Sequence, residues 1–138
     1  MTDDNNAPKL DLGLIQMVQR ARMMNDANAK PSEVSAVYWI EAKAPDPNPT
    51  SRAGKWIVPT TVDVVDALWA KVKAATEGGE LGYKAKVSTA PGKEQGHASA
   101  RLLHVRVADS DAAADVERVR AALEALGVTD MRYERDSA

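Results

Sequence analysis

Lys84, Lys86, Ser88 and Thr89 close the stretch Glu-Leu-Gly-Tyr-Lys-Ala-Lys-Val-Ser-Thr, residues 80–89. In an extended strand, Tyr83, Ala85 and Val87 point to one face and Lys84, Lys86 and Ser88 to the other. A second run, residues 101–108, alternates in the same way: Leu103, Val105 and Val107 on one side, Leu102, His104 and Arg106 on the other. If the two strands are neighbours, Lys84, Lys86, His104 and Arg106 converge in steps of about 5 Å across the sheet. Lys and Arg offer charge-assisted donors to phosphate or carboxylate, and Arg can hold such a group bidentately. Ser88 and Thr89 add hydroxyls at the strand end. Trp39, on a third apolar strand, offers a flat ring on which a base can stack, a contact worth about 1–3 kcal/mol. The competing expectation is a solvated face whose cations pair with Glu41 and Glu134.

The other chemically capable residues form no recognisable motif. His97 lies in a Gly-rich loop and His104 among cations, and neither has a second ligand at close spacing, so no metal is expected. No cofactor is expected either. Gly92 and Lys93 lack the phosphate-loop spacing. There is no cysteine, which excludes disulfides, thiol nucleophiles and thiolate metal sites. Trp69 falls in a helical apolar stripe and reads as core, whereas Trp39 and Trp56 are each open between core and ligand stacking, with core packing favoured for Trp56.

The elements that must place these residues follow from periodicity. Residues 1–9 read as a disordered polar N-terminus, and residues 10–138 as one domain that opens with a helix over 10–26. That helix carries Leu14, Met17, Val18, Ala21 and Met24 on one stripe, and either packs on the domain or meets a protein partner. Residues 34–43 predict a strand with Val37, Trp39 and Glu41 on one face. The Pro-rich residues 44–54 predict a wide loop, and 55–58 a short strand. Thr60 or Thr61 is placed to cap a helix with Val62, Val65, Leu68, Trp69 and Val72 buried and Lys71 and Lys73 near its negative end, stopped by Gly78 and Gly79. After the two strands already named, Ser110 or Asp111 is placed to cap a third helix ending at Gly127, and residues 131–134 form a last strand with Met131 and Tyr133 inward.

Hairpin-linked strand pairs separated by helices imply an α+β fold: an antiparallel sheet with helices on one face. A parallel α/β arrangement would bury Trp39, Glu41, Lys84, Lys86, His104 and Arg106 on a second covered face. The net charge of −2 gives no indication of generic nucleic-acid binding. No apolar run approaches the roughly 20 residues of a membrane span, and the N-terminus lacks the pattern of a signal peptide. A cytoplasmic protein is the expectation.

Several short segments resemble one family. Gly54-Lys55-Trp56, Val62-Asp63, Leu68-Trp69, Leu81-Gly82 and Ala85-Lys86-Val87-Ser88-Thr89 are similar to the basophilic-leukaemia-expressed protein family. So are Asp115-Val116, Arg118-Val119-Arg120, Leu123 and Leu126-Gly127, so that the resemblance spans about residues 37–133. The family is a domain of unknown function. The resemblance implies a curved antiparallel sheet backed by helices, like the messenger-cap-binding initiation factor. Some members carry a phosphothreonine lyase label. Such a reaction needs a base, an acid for the leaving phosphate and cations to hold it, for which Lys86, His104 and Arg106 have suitable residue types. The binding expectation is a phosphate-bearing, nucleotide-like ligand on the cationic face. The alternatives are that lyase chemistry or a protein-interaction domain.

Overall fold

The computed structural model describes residues 29–92 and 95–136; the helix expected over 10–26 and the tail expected over 1–9 lie outside the described residues. Five strands, β1 (Trp39–Lys43), β2 (Gly54–Thr61), β3 (Lys84–Ser88), β4 (Ala100–Val107) and β5 (Arg132–Arg135), make one sheet in the order β1-β3-β4-β2-β5. Every pairing is antiparallel. Two α-helices, α1 (Val62–Glu77) and α2 (Ala113–Ala125), and a 3-10 turn at Pro31–Glu33 complete the described elements. The α+β class expected from the sequence is the one found.

Both helices cover the same sheet face. On β4, Leu103, Val105 and Val107 are fully buried, as are Ala85 and Val87 on β3, and Ile40, Ala42, Trp56 and Val58 continue the layer across β1 and β2. Val65, Trp69 and Val72 of α1 and Val119 and Leu123 of α2 pack onto it. Burying one such side chain contributes about 1.5–3 kcal/mol, so this layer decides which way each strand turns. Trp56 and Trp69 are both core; the Trp56 indole N–H donates to the Val116 carbonyl at 3.1 Å. Gly127, with φ of +104°, terminates α2 in a conformation that side chains resist.

Several local expectations need correction. β1 starts at Trp39 rather than residue 34, because its partner β3 ends at Ser88, opposite Trp39. Val37 and Tyr38 are exposed. β1 and β2 are not a hairpin: β3 and β4 lie between them, which is why the connecting loop is long. Thr61 occupies the N-cap of α1, but its hydroxyl bonds the Asp63 carboxylate instead of a helix amide. Lys73 is buried and pairs with Glu77, the last residue of α1, at 2.9 Å. Ser110 and Asp111 do not cap α2; Ser110 bonds the Tyr133 hydroxyl and Asp111 the Arg135 guanidinium. Pro59 sits within β2, but β5 pairs only with Gly54 to Ile57, so the proline lies where that edge is free.

Gly82 is where β3 is led against β4. A Cβ at this position would lie 2.0 Å from the Arg106 carbonyl oxygen, the acceptor for the Tyr83 N–H at 3.0 Å. This close approach breaks the alternation before Lys84, and the Tyr83 hydroxyl turns to accept from Arg106 Nε at 2.7 Å instead of entering the core. Gly82→Ala must push the strands apart and is expected to cost about 2–4 kcal/mol in urea unfolding. Gly127→Ala, with nothing within 4 Å of the added atom, should cost only about 1–2 kcal/mol through its backbone. Equal losses at the two positions would show that the approach at Gly82 is not a constraint.

Candidate functional site

The register assembles the outer face. Trp39 stands across from Ser88, Glu41 from Lys86, and Lys43 from Lys84. Lys84 in turn faces Arg106, and Lys86 faces His104. On the far side of β4, Arg106 faces Lys55, and His104 faces Ile57. Trp39, Lys84, Lys86, His104 and Arg106 are therefore brought together as expected, all half-buried. The face is not wholly polar, since Ile57 is 4% exposed.

Lys86 and Trp39 form the centre of this group. The Lys86 ammonium lies 4.2 Å from the Trp39 ring centroid, a cation–π contact. The His104 ring is 5.1 Å from the same indole, tilted by 42°. Trp39 thus belongs to the outer face and not to the core.

The two hydroxyls expected to serve the site are committed elsewhere. Ser88 lies in the cationic row but is fully buried, and its Oγ accepts the Leu102 N–H at 2.9 Å. That amide lies one residue beyond the last β3–β4 partners, Val87 and Leu103, so the side chain completes the ladder. Thr89 Oγ1 donates to the Val37 carbonyl, and the Thr89 N–H donates to Tyr38 O at 2.8 Å. Both residues fasten strand ends: Ser88 is buried beneath the surface, and the Thr89 hydroxyl already donates to backbone.

Three of the four central cations have carboxylate partners. Lys84 pairs with Glu41 at 3.3 Å, and Lys55 with Glu134 at 3.3 Å and Asp136 at 3.5 Å. Arg106 pairs with Asp136. Lys86 has no ion pair among the described residues, because Glu41, directly across from it, reaches the diagonal Lys84. Lys55, Tyr83 and Asp136 were not among the expected site residues. Lys55 was legible, since placing Trp56 inward turns Lys55 outward. Asp136 has no signal in the sequence.

Burial, then the charges of Lys86, Lys55 and Arg106, push His104 down to about 4, with Glu134 opposing. Burial also lowers Lys86, helped by Arg106 and resisted by Glu41. At neutral pH His104 is therefore the uncharged imidazole. Its Nδ1 is buried with no hydrogen-bond partner among the described residues. His97 lies elsewhere, in a turn where its Nδ1 is 2.8 Å from Ser99 Oγ. Among the described residues, no group of three or more His, Cys, Asp or Glu side chains could hold a metal ion, and no helix is long and apolar enough to cross a membrane. A groove of about 420 Å³ on the helix side, lined by Val58, Val64, Leu68, Leu126 and Val128, includes none of the expected site residues.

The low value at His104 has a consequence for stability. Between pH 6.5 and about 4 the unfolded chain binds a proton there that the folded protein does not. The contribution is fully present above 6.5 and is lost as pH falls toward 4. Because the ring is partly solvated, the loss is about 1–2 kcal/mol, roughly half of what the shift would carry without screening. Urea unfolding at pH 7 and pH 4.5 should show this loss in the wild type and its absence in His104→Gln. The same pH dependence in both proteins would assign it to other groups.

Comparison with curated proteins found no match. The model of one family, described as "Basophilic leukemia-expressed protein Bles03", matches residues 15–136. The match covers most of the chain, including both helices, all five strands and the cationic face, and the protein belongs to the Bles03 family.

Proposed function

We propose that the outer sheet face is a binding module for a phosphate-bearing, nucleotide-like ligand. The observation that carries this reading is the Lys86–Trp39 pair: an ammonium with no ion pair among the described residues, held over a half-buried indole. Around it, Lys55, Lys84, Lys86 and Arg106 outnumber Glu41, Glu134 and Asp136, so the face attracts anions. Energetics favour the exchange. Lifting Lys86 off the ring costs about 0.5–1 kcal/mol. A base stacked on the indole returns about 1–3 kcal/mol, and the released ammonium gains a charge-assisted bond to phosphate.

Tryptophan emission tests this. Trp56 and Trp69 are buried in the core, so a ligand on the outer face reports through Trp39. Nucleotides should quench the emission, the matching nucleosides should act only at much higher concentration, and Lys86→Ala should weaken nucleotide binding about tenfold or more. Unchanged emission across a panel of adenine, guanine, cytosine and uracil nucleotides would refute the proposal.

A further inference from the structure

Asp136 follows β5, and its N–H donates to the Ala53 carbonyl at 3.0 Å, which returns the chain beside the start of β2. One carboxylate oxygen takes the Arg106 guanidinium, and the other lies 3.5 Å from Lys55 Nζ. Arg106 and Lys55 are direct partners on β4 and β2. The Tyr83 hydroxyl accepts from Arg106 Nε at 2.7 Å and fixes the plane of the guanidinium, which leaves its NH2 edge for Asp136. Two cations on adjacent strands, one of them oriented by a phenol, thus converge on one carboxylate. That is the geometry of an oxyanion seat.

Two observations separate a seat from a purely structural ion pair. Lys55 already has its register partner Glu134 at 3.3 Å, so Asp136 is a second carboxylate against the same ammonium. Asp136 also lies beyond the last β2–β5 partners, Gly54 and Arg135. Its side chain can withdraw without breaking a strand pairing.

We infer that Arg106 and Lys55 form an oxyanion seat occupied by the protein's own Asp136, and that the ligand's phosphate takes this seat by displacing that carboxylate. The inference rests on the reading of the outer face given above and adds which residues hold the phosphate and what competes with it. Phosphate has the advantage in the exchange. It carries up to two charges and three oxygens, enough to meet Arg106 bidentately and Lys55 at once. A tethered carboxylate competes at an effective concentration in the millimolar range, so it excludes weak monoanions while yielding to phosphate.

The test uses the full chain as wild type, Asp136→Asn and Asp136→Asn/Arg106→Ala. Inorganic phosphate and ADP are titrated at matched ionic strength, and binding is followed by thermal shift. Asp136→Asn should bind inorganic phosphate about five- to tenfold more tightly than wild type, and the added Arg106→Ala should remove the gain. The same gain for ADP assigns the seat to a nucleotide phosphate; a gain for inorganic phosphate alone assigns it to the free ion. Phosphate binding visible only in Asp136→Asn also supports the seat. If Asp136→Asn binds neither probe more tightly than wild type, the inference is overturned. Where wild type still binds ADP through Lys86 in that case, the binding function stands without this seat; where neither protein binds either probe, the seat falls and the nucleotide panel above decides the binding function. Asp136→Ser serves as the second variant if Asp136→Asn does not fold.

Discussion

The burial of Leu103, Val105 and Val107 on β4 is the constraint from which the rest follows. Each of these side chains contributes about 1.5–3 kcal/mol by leaving water, whereas an exposed charge pair is worth about 1 kcal/mol or less. The core therefore dictates the strand's orientation, and the opposite face must accept what alternation puts there. That is His104 and Arg106, between Lys84 and Lys86 on one neighbour and Lys55 on the other. Like charges about 5 Å apart repel by roughly 1–3 kcal/mol, depending on how much water screens them. The outer face is arranged around relieving that repulsion.

The relief is uneven. Lys55 has two carboxylates, Arg106 has Asp136 and the Tyr83 hydroxyl, and Lys84 has Glu41. Lys86 lies over the face of an indole, with no ion pair among the described residues. Positive potential is therefore concentrated beside Lys86 and His104. Burial, and then this potential, lower both His104 and Lys86. One carboxylate more on β1 or β3 would have neutralised the group. Glu41 stands in the right register to do so, yet its carboxylate reaches Lys84.

Much of this arrangement is legible in the sequence. Alternation in residues 101–107 and 84–87 separates core from outer face correctly, and with it the convergence of Lys84, Lys86, His104 and Arg106. The family was legible as well, through short segments such as Leu81-Gly82 and Ala85-Lys86-Val87-Ser88-Thr89, whose spacing is informative together. What alternation cannot supply is the cover on a given side chain. Ser88 points the same way as Lys86 but lies buried, because Leu102 needs its oxygen. Tyr83 departs from the buried face of Ala85 and Val87 because the approach at Gly82 interrupts the period of two just before β3. The helix caps failed for a related reason. Thr61, Ser110 and Asp111 are suitable capping residues, but Asp63, Tyr133 and Arg135 reach them first. Asp136 depends on how the chain returns past Ala53, which no local pattern encodes.

Two costs meet on this face, burial and like-charge repulsion. Burial first, and then the neighbouring cations, lower both His104 and Lys86. Opposite charge relieves the repulsion but not the burial. Asp136 cancels part of the field at Arg106 and Lys55, while Glu41, opposite Lys86, pairs with Lys84. The face is thereby divided. At one end is a cation pair held by Asp136, and at the other an ammonium over an indole, with no ion pair among the described residues.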